Sequence, residues 1–298
     1  MLQPVGPEAL GWFKEPIKSM ADFRKYRFRT PPGIPGQAYK DIGVASVAMG
    51  GGEPTKHKHF AEIMRFGADL GIVMNFTTYG LDWLKNKEIM DAILYANKKQ
   101  GVGIGVSVHK AADLKKASRI IHEFSYAKRP FYGRRPQVTA QTVMGILRND
   151  SLLKMVDESF DQKVPLLLLG YKTTGRGDAF EMKWGKEEHA EAALSYAKYK
   201  IDEYFEKWGC QPAWRLSCDT AFIEQYEGAL DRLEIPQMLR SSPEGQFSCY
   251  IDAVTNEIAP SSYCDESEYR KREKGKLKEQ FAEFGVPNDD VFALEAKF

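Results

Sequence analysis

Val47-Ala48-Met49-Gly50-Gly51-Gly52-Glu53-Pro54-Thr55 runs from an apolar stretch through three glycines to a carboxylate and a proline. The apolar residues 42–49 read as a buried strand. Beyond the glycines, Phe60, Ile63, Met64 and Gly67 recur at i, i+3, i+4 and i+7, the spacing of one helix face. The glycines therefore stand where a strand gives way to a helix. In parallel α/β folds that is where ligands bind, because the loops at the carboxyl ends of the strands carry free backbone amides. Glycines let the backbone come close to a ligand, and Glu53 sets beside the opening a carboxylate suited to an ammonium. The stretch lacks the Gly-Lys-Ser/Thr ending of a phosphate loop and the G-x-G-x-x-G spacing of a dinucleotide site. A tight glycine turn with a solvated carboxylate is the simpler reading of the same residues.

Outward from this stretch the strand-then-helix unit repeats. Residues 72–77, 102–108, 137–143, 164–170 and 214–218 read as further strands. Between them lie helical patterns marked by Ile89, Ile93 and Ala96, by Leu114, Ala117, Ile121 and Phe124, and by Leu152, Met155 and Val156. A long amphipathic helix over 190–205 ends at Gly209, and another helical stretch covers 222–233. The strands read as apolar on both faces, which is what a parallel sheet covered by helices requires. The expected class is α/β, a barrel or a doubly wound sheet. Before this body, residues 1–40 are punctuated by prolines and leave room for one short helix over 17–26. After it, 247–251 and 257–259 pair as a hairpin turning at 254–256, and a charged helix over 266–284 closes the chain.

Composition narrows the function. With 42 Lys+Arg against 41 Asp+Glu in 298 residues, the net charge of +1 gives no global pull toward nucleic acid or anionic lipid. One loop is locally basic: Lys128, Arg129, Arg134 and Arg135 flank Phe131 and Tyr132, a set able to pair phosphates and stack bases, or simply to be solvated. No apolar run approaches the roughly 20 residues of a membrane span, and the first residues lack a secretory pattern. A cytoplasmic protein is expected. The four cysteines, Cys210, Cys218, Cys249 and Cys264, all fall in the last third. They read either as small buried hydrophobes or as metal or cluster ligands.

The string Gly50-Gly51-Gly52-Glu53-Pro54-Thr55, followed by His57, resembles the Gly-Gly-Glu-Pro-Thr-x-His segment of radical S-adenosylmethionine (SAM) enzymes. Asn75-Phe76-Thr77-Thr78-Tyr79-Gly80 resembles a strand end of that family, Gly105-Val106-Ser107-Val108 its Val-Ser-Val-Asp strand, and Leu166 to Lys172 its sixth strand. The resemblance implies an α/β partial (β/α) barrel over 41–209 and a small α+β extension, SPASM- or twitch-like, over 210–298. It implies SAM as ligand, with Gly51, Gly52, Glu53, Ser107, Thr77, Gln141 and Lys172 around it. It also makes Cys218, Cys249 and Cys264 candidate ligands of an auxiliary cluster, although Ser261 stands after Pro260 where a cysteine is common.

The departure from the family is as informative. Three thiolates in Cys-x-x-x-Cys-x-x-Cys leave one iron of a [4Fe–4S] cluster open to SAM, and this chain has no cysteine before Cys210. A catalytic cluster built by this chain is not expected. A non-catalytic scaffold or binding subunit in a protein assembly follows. The alternatives are the SAM-binding part of a split enzyme whose cysteines come from a partner, and a nucleic-acid binder acting through the basic loop.

Overall fold

Six strands, β1 (Ser46–Met49), β2 (Val73–Thr78), β3 (Gly103–Ser107), β4 (Gln137–Val143), β5 (Leu166–Leu169) and β6 (Leu216–Cys218), lie in sequence order in one sheet. Every pairing is parallel. The computed structural model describes residues 46–50, 52–125, 135–172, 185–236, 240, 250–252, 257–261, 264–271, 273 and 280. The strands fall where the apolar runs put them, so the α/β partial barrel is borne out.

The helices between them are α1 (Phe60–Asp69), α2 (Lys87–Lys99), α3 (Leu114–Glu123), α4 (Asn149–Asp161) and α5 (Glu187–Trp208). Their starts and stops have local causes. Asn86 caps α2 by accepting from the amides of Glu88 and Ile89. The long α5 ends as expected at Gly209, whose φ of 65° is the left-handed conformation that glycine adopts without strain. After β6 the chain forms two short helices, α6 (Thr220–Gln225) and α7 (Glu227–Arg232), broken at Tyr226, instead of one stretch.

Sequential strand order decides the architecture. Parallel strands are joined by right-handed crossovers, so an order that never reverses lays every connecting helix on the same side of the sheet. That side is apolar: Met74, Phe76, Ile104, Val106, Val138, Ala140, Leu166 and Leu168 form one core with Phe60, Met64, Ile93, Ala117 and Met155 of the helices. The opposite side is not. It carries Ser46, Asn75, Thr77, Gly103, Ser107, Thr139 and Gln141, alternating along the strands with the buried set and only half-buried. The expectation of strands apolar on both faces holds for β5, four leucines, and is corrected for β2 to β4. One face is covered by helices, and the other is polar over β2 to β4, on the inside of a partial barrel.

The sheet continues past residue 209, since β6 pairs with β5. Beyond it a second sheet joins β7 (Tyr250–Asp252), β8 (Glu257–Ala259) and β9 (Arg270–Lys271), all antiparallel. The hairpin of β7 and β8 is the expected one, with Tyr250 opposite Ala259 and Asp252 opposite Glu257. The charged helix expected over 266–284 is corrected over 266–271, while Gln280 is helical. Glu266–Glu268 is a single 3₁₀ turn and Arg270–Lys271 is an edge strand, its Lys271 ammonium 2.8 Å from Glu257. Cross-strand charge pairing gives those residues a better use than helix. The expected helix over 17–26 and the turn at 254–256 lie outside the described residues. No described helix is long and apolar enough to cross a membrane.

Candidate functional site

The site is built at the carboxyl ends of β1, β2 and β3 and across their polar face. Glu53 follows β1 and precedes a 3₁₀ turn, Pro54–Lys56. Its carboxylate is turned back into the protein. Oε1 accepts from the Thr55 hydroxyl (2.6 Å), the Thr55 amide (3.4 Å) and the Thr78 hydroxyl (2.9 Å). Oε2 lies at 2.9 Å from the Thr78 hydroxyl and accepts from the successive amides of Tyr79 (2.9 Å) and Gly80 (3.1 Å). Two adjacent backbone N–H groups converging on one oxygen form a small anion nest. A carboxylate offers about four lone-pair sites, so these donors use its capacity.

The turn that Glu53 holds is anchored from the other side too. Thr78 is only 1% exposed on the helix-covered face. The indole of Trp83 donates to the Gly80 carbonyl (3.1 Å), and Trp83, Phe76 and Phe60 meet edge to face at centroid separations of 5.7 and 5.1 Å. Edge-to-face contact suits the aromatic quadrupole. The end of β2 is thereby tied both to the loop after β1 and to the first residue of α1.

Below this rim the polar face is knitted by amides lying flat on glycines. Gln141 of β4 crosses over Gly105 of β3 to Thr77 of β2, whose hydroxyl is 3.4 Å from the Gln141 carbonyl oxygen. A Cβ on Gly105 would stand 2.4 Å from the Gln141 amide nitrogen. Asn75 repeats the device one step lower. It accepts from the Gly103 amide (2.7 Å) and donates to Ser46 (2.9 Å), and a Cβ on Gly103 would meet its oxygen at 2.7 Å. Ser107 ends β3 directly opposite Gln141. Thr77, Ser107 and Gln141 therefore lie together on the polar face. Ser46, Asn75, Gly103 and Gly105 belong with them and were missed as a set, although their period-two spacing along three strands is a visible signal.

On the rim stands Tyr79, 51% exposed. Lys116 lies 3.6 Å above its ring centroid and 3.3 Å from Asp113, whose other oxygen accepts from the His109 amide (3.2 Å). The Tyr79 and His109 rings are 5.6 Å apart. His109 and the Lys116 amine hold the Asp113 carboxyl below the ordinary carboxylate range, against the burial that would raise it. Next to the glycines, His57 accepts from the His59 amide at Nδ1 (3.2 Å), and burial, followed by the charges of His59 and Lys58, lowers its pKa to about 4.

The remaining expected residues are dispersed. Gly52 is exposed, and Gly51 lies outside the described residues. Lys172 follows β5, past Gly170, and is half-buried. Cys218 closes β6 on the helix-covered face, 8% exposed, and burial followed by the neighbouring Asp219 charge pushes its thiol far up. Cys264 points at the Ser261 carbonyl (Sγ to O 3.3 Å) and its thiol is also raised, mainly by burial. Cys249, Lys128, Arg129 and Arg134 lie outside the described residues, leaving Arg135 just ahead of β4. Among the described residues no three His, Cys, Asp or Glu side chains converge as metal donors.

Two structures of a radical SAM enzyme share this architecture over most of the chain. Streptococcus suis SuiB bound to S-adenosylmethionine superposes with a TM-score of 0.52 at 15% identity, covering 88% of this chain and 58% of SuiB. SuiB bound to precursor peptide SuiA gives 0.54 at 13% identity over the same shares. The fold is that of radical SAM enzymes. At this identity the radical SAM likeness is one of fold, and this chain spans little more than half the length of SuiB. No family model matches the sequence, and no curated protein does.

The residues fit the two groups of the radical SAM pair unequally. Hydroxyls and amides of Thr77, Ser107 and Gln141 suit the neutral polar parts of a molecule such as SAM. The Glu53 carboxylate, already filled by donors of its own chain, does not offer an ammonium a free acceptor. A catalytic cluster fits less well, since the segment ahead of β1 contributes no thiolate.

Proposed function

We propose that the chain is a radical-SAM-like barrel that has lost the catalytic cluster motif and serves as a non-catalytic binding subunit in a protein assembly, taking its ligand on the polar face. One observation carries this reading. The radical SAM architecture is present from β1 onward, yet no cysteine stands in the 45 residues ahead of β1. Oxygen and nitrogen donors do not replace three thiolates on such a cluster. The neighbouring SuiB structures hold S-adenosylmethionine in one case and a precursor peptide in the other. They support a small polar molecule or a peptide as the occupant here. The test is anaerobic incubation of the reconstituted protein with dithionite and SAM. No 5′-deoxyadenosine is the expected result, and its formation would refute the proposal.

The second reading is a split enzyme, in which another chain supplies the cysteines. It is favoured by the polar face and by the position of β1 at an end of the six-stranded sheet among the described residues. Deoxyadenosine formed only after mixing with a genomic-neighbour cysteine-bearing chain would select it.

A further inference from the structure

The family resemblance assigns Glu53 to the amine of a bound ligand; its surroundings assign it something else. We propose that Glu53 is a positioning residue: it fills the anion nest at the end of β2 and thereby presents Tyr79 as a ring contact at the mouth of the polar face. The proposal rests on the functional reading only in taking that face as the ligand side.

The geometry is specific. The donors to Glu53 come from two places, Thr55 on its own loop and Thr78, Tyr79 and Gly80 on the β2 end. Without the carboxylate, the adjacent amides of Tyr79 and Gly80 lose the charged acceptor that they share. What this clamp fixes is an exposed aromatic. The Tyr79 backbone is held by Glu53 and its ring by the Lys116 ammonium, itself held by Asp113. Holding a half-exposed ring from two sides costs conformational entropy and buries little surface. A rigid ring beside the hydroxyls and amide of Thr77, Ser107 and Gln141 is suited to stacking against a planar group, with polar atoms of the same ligand below. Both charged groups nearest the ring are already paired inside the chain, so the contact is one of stacking, with charge left to other parts of the ligand.

The test separates a clamp from a ligand to an ammonium. Glu53→Ala removes every side-chain acceptor from the nest. Hydrogen exchange of the full-length protein should show the Tyr79 and Gly80 amides exchanging about ten-fold faster or more, with β4 and α2 amides unchanged. Thr55→Val, which removes only the loop-side hydroxyl, should leave Tyr79 and Gly80 protected. Unchanged protection at Tyr79 and Gly80 in Glu53→Ala overturns the proposal. Calorimetry with two probes, S-adenosylmethionine and 5′-methylthioadenosine, which lacks the amine, provides the second arm. A positioning role weakens both probes by the same factor. A loss confined to the amine-bearing probe overturns it. Deoxyadenosine production would refute the functional reading and leave these outcomes intact, so the two failures are distinguishable.

Discussion

The two faces of the six-stranded sheet are made of the same strands and obey opposite rules. On the helix-covered face, large side chains from β2 to β6 close on α1 to α5 in one buried core. On the other, small residues give way to amides laid flat across them, and Gln141, Asn75, Thr77 and Ser107 stay half-exposed. The difference teaches where stability and binding are kept. The first face supplies the apolar burial that holds the fold. The second contributes little burial and is free to present hydrogen-bonding groups.

The largest effect that would break this division lies on the covered face. Phe76→Ala removes a fully buried ring that touches both Phe60 and Trp83, and should lower the unfolding free energy by about 3–5 kcal/mol in urea titration. A loss of about 1 kcal/mol would mean that the face is not close-packed. Gly170→Ala comes next. Its Cβ would stand 2.4 Å from the Ala221 carbonyl carbon and 2.5 Å from the Phe222 amide nitrogen, backbone atoms held there because Asp219 caps α6 and also accepts from the Gly170 amide. About 1–3 kcal/mol is expected from such overpacking, read as a fall in the denaturation midpoint.

Gly105→Ala is the matched change on the polar face. There the added methyl meets only the flexible end of Gln141, so stability should fall by less than about 1 kcal/mol while the Thr77–Gln141 contact is broken. Equal losses from Gly105→Ala and Gly170→Ala would erase the distinction between the faces. The smallest effect is a pH dependence beside the glycine loop. His57 stays neutral in the folded protein down to about 4, whereas the unfolded chain takes up the proton at the ordinary value near 6.5. The unfolded state therefore binds more protons in that interval, and stability drops as pH falls from about 6.5 to about 4. His57→Gln should flatten this part of the stability profile, and an unchanged profile would assign the drop to other groups.

Much of this architecture was legible because it is local. Strands 72–77, 102–108 and 164–170 announce themselves by apolar runs, and Gly209 marks the end of α5. The polar face was harder to read. Whether a strand residue meets helices depends on which side the crossovers take, and Asn75 on Gly103 or Gln141 on Gly105 are contacts between strands. Glu53 shows the same limit. A carboxylate after three glycines looks available until Thr78, Tyr79 and Gly80, some 25–27 residues away, are folded onto it. The charged run at 266–271 misled for a related reason, since β9 owes its conformation to pairing with β8 and not to its own sequence.

We propose that this radical-SAM-like fold persists without a catalytic cluster. Iron and acid-labile sulfide in the protein purified without oxygen, before and after cluster reconstitution, test it most directly. Near-zero iron in both preparations is the predicted result. About four irons per chain, the content of a [4Fe–4S] cluster, would contradict it and return redox chemistry to this chain through its late cysteines.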